Sequence, residues 1–368
     1  MRILFALPGL HRVSRGAEIA FEQLARQIAV MPDYQVTLIG SGYPQPDCPY
    51  KFIHAPCIPR EKFTKWPIIP YLLRGYFVYE ELTFVPGLLR SFDPDAYDIT
   101  VTCSYPYTNW VLRARRQNGY PKHAFVTQNG DWMCYSNDWE NRHFDCDGLV
   151  CTNPEYFERN CDRYPSVLIP NGVDPDLFKP GYGDRTAFKL PNQVPLVLMV
   201  SALMPSKRVL EGIGCVAKLP EVHLAVAGDG TLRNEVQTVG TELLGDRFHW
   251  LTVPKEKMPD LYRCADVVLH MSQDEPFGNV YIEALATGLP VVAHDWKVTR
   301  WILEEQAIFV DTSNEEAVVD GLHHAFSAQT EMAINNRRNL VESRFSWTHI
   351  AEQYCNFFEQ ICSESSRG

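Results

Sequence analysis

Three absences narrow the field before any motif is read. The eleven cysteines of this 368-residue chain form no Cys-x-x-Cys pair. An odd number, scattered from Cys48 to Cys362, speaks against a disulfide framework or a cysteine-based zinc site and for a reduced, cytosolic chain. No apolar run is long. The longest charge-free apolar stretch, Val194 to Ser206, has 13 residues, short of the ~20 that cross a bilayer. Nor is there an excess of base: 34 Lys plus Arg stand against 45 Asp plus Glu, a net charge of -11. That balance argues against a protein holding nucleic acid through bulk charge. Internal repeats and low-complexity tracts are also missing. What is present is 45% hydrophobic, 12% aromatic and 21% charged, a globular composition whose length favours two domains.

Short β-branched runs alternate with helix-period segments, as in parallel sheets covered by helices. The opening MRILFALPGLHRVSR reads as a first buried strand, since a second basic cluster stands where a leader would carry its small-residue cleavage site. Strand 2–7, helix 17–30 and strand 35–39 follow, with further strands at 99–103, 123–127 and 148–151. Three prolines and a glycine in Pro170-Asn-Gly-Val-Asp-Pro-Asp-Leu-Phe-Lys-Pro180 break the pattern and mark a hinge. The alternation then restarts with strands at 196–201, 223–227, 248–252, 267–271 and 290–293, separated by helices. We therefore expect an α/β protein of two doubly wound, Rossmann-like domains, 1–170 and 171–347, and a last helix in 348–368 that crosses back to the first.

The densest chemical signal is Ser272-Gln-Asp-Glu275-Pro-Phe277-Gly278-Asn279-Val280-Tyr-Ile-Glu283-Ala-Leu-Ala-Thr-Gly288-Leu-Pro-Val. One glutamate follows a strand and the other stands eight residues on, inside the next helix. At 1.5 Å per helical residue the carboxylates lie up to ~12 Å apart, too far to share a proton or a metal, so they suit an extended ligand. A nucleotide diphosphate sugar fits: Glu283 would accept from ribose hydroxyls and Glu275 from the sugar. Gly278 permits close backbone approach to the diphosphate, and the amides of Asn279 and Val280 offer partial positive charge. The plain alternative is that Asp274 and Glu275 cap the helix while Glu283 is solvated.

This E-x7-E element, in its Phe-Gly and Glu-Ala-x-Ala-x-Gly-x-Pro-Val setting, resembles the donor motif of retaining glycosyltransferases of family GT4. Ile169-Pro-Asn-Gly-Val-Asp174, Lys207, Ala227-Gly-Asp-Gly-Thr-Leu-Arg233 and Arg344-Phe-Ser-Trp347 occur in the family's order. The resemblance implies the GT-B fold, two Rossmann-like domains facing across a cleft, with the donor bound mainly by the second domain and the acceptor by the first. It implies that Lys207 neutralises the diphosphate and the charge on the departing nucleotide. Where the family usually has an arginine this chain has Ala202, so Arg208 becomes the second cation. The usual Gly-Gly of the first loop is Arg15-Gly16: Gly16 can approach a phosphate, and Arg15 is either a phosphate or acceptor contact or a surface residue. Asn129 occupies the slot of a family histidine and would orient an acceptor hydroxyl. Asp131 is then the nearby candidate for taking the acceptor's proton, or else caps a turn. The nucleobase, of a UDP- or GDP-linked donor, would be read by backbone near Thr252 and Val253. We expect no cofactor and, for want of a convincing Asp-x-Asp site, no metal.

Rival signals are weaker. The triplets Asp93 to Asp95, Asp145 to Asp147 and Asp174 to Asp176 have the spacing of a divalent-cation pair. Gly212-Ile-Gly-Cys-Val-Ala217 matches a dinucleotide fingerprint, which would make the chain an NAD-dependent oxidoreductase, but it falls inside a helix and not at a strand-to-helix turn. A catalytically silent sugar-nucleotide-binding protein would share the fold. Residues 60–77 mix basic and bulky apolar side chains, suiting either a peripheral membrane face that receives a lipid-linked acceptor or a core helix. Acceptors thus span glycans, lipid-linked sugars and small metabolites.

Overall fold

The structure, a computed structural model, describes residues 1–63, 65–67 and 75–364. The chain divides into two compact units, Met1–Asn171 with Trp347–Gly368, and Gly172–Ser346. Among the described residues the first unit carries seven strands: β1 (Arg2–Ala6), β2 (Gln35–Gly40), β3 (Lys51–His54), β4 (Ile99–Thr102), β5 (Lys122–Val126), β6 (Gly148–Cys151) and β7 (Ser166–Leu168). All pair in parallel, in the order β3-β2-β1-β4-β5-β6-β7. The helices α1 (Gly16–Ala29), α2 (Tyr76–Ser91), α3 (Tyr107–Ala114), α4 (Trp132–Tyr135) and α5 (Pro154–Asn160) connect them. In α1, Ala20, Phe21, Leu24, Ala25 and Ile28 are buried, one face of a 3.6-residue period laid on the sheet.

The second unit repeats the plan with β8 (Leu196–Val200), β9 (His223–Ala227), β10 (Phe248–Leu251), β11 (Val267–His270), β12 (Val291–His294) and β13 (Ile308–Val310), in the order β10-β9-β8-β11-β12-β13. Its helices are α6 (Val209–Ala217), α7 (Arg233–Leu244), α8 (Met258–Tyr262), α9 (Asn279–Ala286), α10 (Lys297–Leu303), α11 (Glu315–Ser327) and α12 (Glu331–Arg344). The helix α13 (Trp347–Glu364) then joins the first unit. Its Ile350, Tyr354, Phe357, Phe358 and Ile361 enter the core formed with β1, β4 and α1. Gly148 makes room for it, because a Cβ there would stand 2.2 Å from Ile361 Cδ1.

The central strands are legible in sequence because burial on both faces demands continuous apolar runs. The sequence reading passes over β3, β7 and β13. These are edge strands of three or four residues, half-exposed and too short to show a period. The Gly212-x-Gly motif lies within α6, where Gly212 makes room for Met199 of β8, 2.6 Å from a hypothetical Cβ. It serves helix-on-sheet packing. Among the described residues no helix is long and apolar enough to cross a membrane. Of the basic-apolar stretch 60–77, residues 64 and 68–74 lie outside the described residues.

Candidate active site

In each sheet the strand order reverses beside the first strand, so the loops leaving the two neighbouring strands diverge and open a crevice at their carboxyl ends. In the second unit those strands are β8 and β11, paired at Val197 with Val267 and Leu198 with Val268. Lys207 follows β8 and Glu275 follows β11. Sixty-eight residues apart in sequence, they meet with Lys207 Nζ 2.5 Å from Glu275 Oε2. His270, the last residue of β11, bonds the same oxygen through Nε2 at 2.9 Å. The side chains of Lys207, Glu275 and His270 are only 19%, 12% and 5% exposed. Burial by itself would raise the Glu275 carboxyl, but hydrogen bonding and charge from His270 and Lys207 prevail and hold it down at about 2. It is a fixed anion.

Gly278 precedes α9 with φ 71°. The left-handed conformation and the closeness of Tyr281 and Glu275, 2.7 and 2.8 Å from a hypothetical Cβ, leave no room for another residue. The N-cap position itself supplies no side-chain cap to α9, whose first turn, Asn279 and Val280, carries the dipole's positive end. Phe277 is buried against Trp301 and Phe345 and anchors this turn. One turn into α9, Glu283 accepts from the Tyr262 hydroxyl at 2.8 Å through Oε2. Burial pushes its carboxyl above the ordinary value, against that hydrogen bond. The two glutamates share a design: a protein donor pins Oε2, and among the described residues no donor meets Oε1. Each keeps one oxygen without a protein donor among the described residues.

The remaining candidates are placed as follows. Arg208 takes a left-handed conformation at the start of α6 and pairs with Glu211 at 3.2 Å, while Lys207 alone reaches Glu275. Thr252 and Val253 follow β10, Thr252 exposed and Val253 against the core. In the first unit Gly16 opens α1 with nothing within 4 Å of a hypothetical Cβ. Arg15, just before it, is held by Glu18, Glu61 and Glu80. Asn129 is exposed, and its Nδ2 donates to Cys103 O at 3.4 Å. Asp131 is buried and takes Arg159 Nη1 at 2.8 and 3.0 Å and Asn160 Nδ2 at 2.8 Å. These donors take three of its four lone-pair sites, while burial raises its carboxyl above the ordinary value. Sequence reasoning missed His270, Tyr262 and Arg159. Only His270 left a trace, as a polar residue closing an otherwise apolar strand.

The Asp-x-Asp triplets serve local structure. Asp93 caps a 3-10 turn, Asp145 and Asp147 pair with Arg113 and Arg116, and Asp174 Oδ1 accepts from the Asp176 and Leu177 amides. Among the described residues no group of three or more His, Cys, Asp or Glu is placed to hold a metal ion.

Two parallel-sheet, Rossmann-like units of this topology define an α/β protein with the GT-B fold. Residues 184–344 match the family described as "Glycosyl transferases group 1". The chain is 30% identical over 222 residues to the D-inositol 3-phosphate glycosyltransferase of Mycolicibacterium smegmatis, which covers 56% of this chain and only 50% of that protein. It is 25% identical over 382 aligned positions, 95% of each chain, to an uncharacterised glycosyltransferase of Methanocaldococcus jannaschii. Among solved structures, sucrose-phosphate synthase from Thermosynechococcus elongatus matches with a TM-score of 0.77 at 22% identity, over 99% of both chains. Anabaena HepE in complex with UDP-glucose matches at 0.74 and 17%, over 98% of this chain and 100% of that one. The matched family and these relatives are glycosyltransferases, which supports sugar transfer; nothing favours an oxidoreductase.

Proposed function

We propose that the chain moves a sugar from a nucleotide diphosphate donor to an acceptor hydroxyl with retention at the anomeric carbon. The observation that carries this reading is the paired arrangement of Glu275 and Glu283, each with one oxygen pinned and one offered, on either side of the first turn of α9. That span suits a donor lying with its ribose at Glu283, its diphosphate over Gly278, Asn279 and Val280, and its sugar at Glu275. HepE, a structural neighbour, binds UDP-glucose, which is in keeping with a nucleotide-sugar donor.

Lys207 is the cation beside the diphosphate, with Arg208 as a second, more remote charge. Stabilising the departing nucleotide is then the main catalytic term, since a donor aimed at developing charge in a water-poor site counts for far more than in bulk water. The sequence offers no obvious carboxylate nucleophile for a double displacement, so a front-face displacement is favoured. Asn129 orients the acceptor hydroxyl, and Asp131, locked by Arg159, shapes the loop that carries it. No cofactor and no metal ion take part. All eleven cysteines are unpaired, in keeping with work in the reducing cytoplasm. A screen of UDP- and GDP-sugars for hydrolysis without acceptor tests the reading. If none is hydrolysed and neither nucleotide binds, the reading fails.

A further inference from the structure

Three guanidinium groups converge on one buried carboxylate at the carboxyl edge of the first sheet. Arg12 lies in the turn after β1, Arg15 just ahead of α1, and Arg60 in a 3-10 turn after β3. All three reach Glu80 of α2, whose side chain is 1% exposed. Glu80 Oε2 accepts from Arg15 Nη1 at 3.2 Å and Arg60 Nε at 2.8 Å, and Oε1 accepts from Arg12 Nη2. Arg12 Nε also donates to Ser41 Oγ at 2.7 Å, in the turn after β2. Loops from three adjacent strands, β3-β2-β1, thus meet at the edge of the sheet where open parallel folds bind ligands.

One anchoring carboxylate does not use up three guanidiniums, each of which carries five N–H donors. Among the described residues no acceptor meets Nη1 or Nη2 of Arg60, or Nη1 of Arg12, and the Arg60 side chain is 37% exposed. Two further carboxylates touch the cluster, both through Arg15. Glu18 lies at 3.4 Å, and burial pushes its carboxyl above the ordinary value despite Arg15. Glu61 lies at 2.7 Å on a side chain that is 62% exposed. Three cations therefore face one committed anion, one buried carboxyl that only Arg15 touches, and one surface carboxylate that a stronger anion can displace. The amino end of α1, with no side-chain cap, adds its partial positive charge.

We propose that Arg12, Arg15 and Arg60 form a recognition site for a phosphate dianion carried by the acceptor. Glu80 holds the guanidiniums in place from beneath, and Glu61 is the group that yields. Planar forks held this way match phosphate oxygens two at a time. The proposal rests on the sugar-transfer reading for the word acceptor and narrows the acceptor class to phosphorylated compounds.

The test titrates inorganic phosphate, then glucose 6-phosphate and glucose, into the full chain by calorimetry. UDP or GDP is present at saturation so that the diphosphate site of the second unit is filled. The wild type should bind phosphate saturably and prefer the phosphorylated sugar. Arg60→Gln should weaken phosphate about 10-fold or more, the loss of a charge-assisted pair. Glu61→Gln should tighten it by about 2- to 5-fold by removing a rival carboxylate. The opposite signs separate a binding effect from misfolding, which melting curves check independently. Equal affinity in all three proteins, no preference for glucose 6-phosphate, or phosphate binding that vanishes whenever nucleotide is bound would overturn the site. If neither nucleotide binds, the donor reading falls, and the same titrations in nucleotide-free protein still decide the arginine site.

Discussion

Replacing each glutamate of the second unit by glutamine separates ribose recognition from sugar chemistry. In Glu283→Gln the amide oxygen can still accept from Tyr262, at the present 2.8 Å, so the shape of α9 survives. The offered oxygen becomes an NH2 group that donates where the carboxylate accepted, so binding of a ribose diol weakens by about 1–3 kcal/mol, roughly a 5- to 150-fold loss of affinity for the free nucleoside diphosphate. Glu275→Gln acts elsewhere. It removes the counter-charge of Lys207, 2.5 Å away, leaving that cation freer to bind a diphosphate. Affinity for free UDP or GDP should stay level or rise. Turnover of the intact donor should fall by about 100- to 1000-fold, the scale of losing one preorganised electrostatic contact. Calorimetry with the nucleoside diphosphate gives the first number, and steady-state rates with the sugar donor give the second. Equal weakening of nucleotide binding by both substitutions, or unchanged turnover in Glu275→Gln, would refute the donor orientation.

Further expectations follow from single sites. Activity in excess EDTA should equal that of untreated enzyme; a loss restored by Mn²⁺ would remove Lys207 and Arg208 from the role of phosphate counter-charge. Gly278→Ala should cost about 1–3 kcal/mol, because a Cβ at φ 71° meets Tyr281 and Glu275, and thermal melting should show it; an unshifted transition would mean the turn relaxes freely. Burial raises the Glu81 carboxyl to about 8, against the Thr108 and Tyr107 amides. A carboxyl raised in the folded state costs stability as pH climbs from its unfolded value near 4.5 toward 8, by up to about 1.4 kcal/mol per pH unit. Glu81→Gln should therefore flatten the melting profile across that window, and parallel profiles would show that Glu81 is not what titrates.

The sequence by itself determined what depends on neighbours along the chain. Apolar runs placed the central strands, proline and glycine at 170–180 marked a break, and the Glu275 to Glu283 spacing carried the chemistry of a donor motif in one strand-turn-helix segment. Short edge strands such as β3 and β13 escaped because three or four half-exposed residues carry too little pattern. Which donors meet which carboxylates was decided by tertiary structure alone. Lys207 and Glu275 meet because β8 and β11 are neighbours where the strand order reverses, a pairing with no signature in local composition. Asp131 reads in sequence as a base or a turn cap, and only the fold brings Arg159 and Asn160, about thirty residues away, into hydrogen bonds with it. The three arginines around Glu80 come from two separate loops, up to 68 positions from it. Periodicity and turn chemistry act over a few residues, whereas the charge around a carboxylate depends on strand order, which only the folded chain supplies.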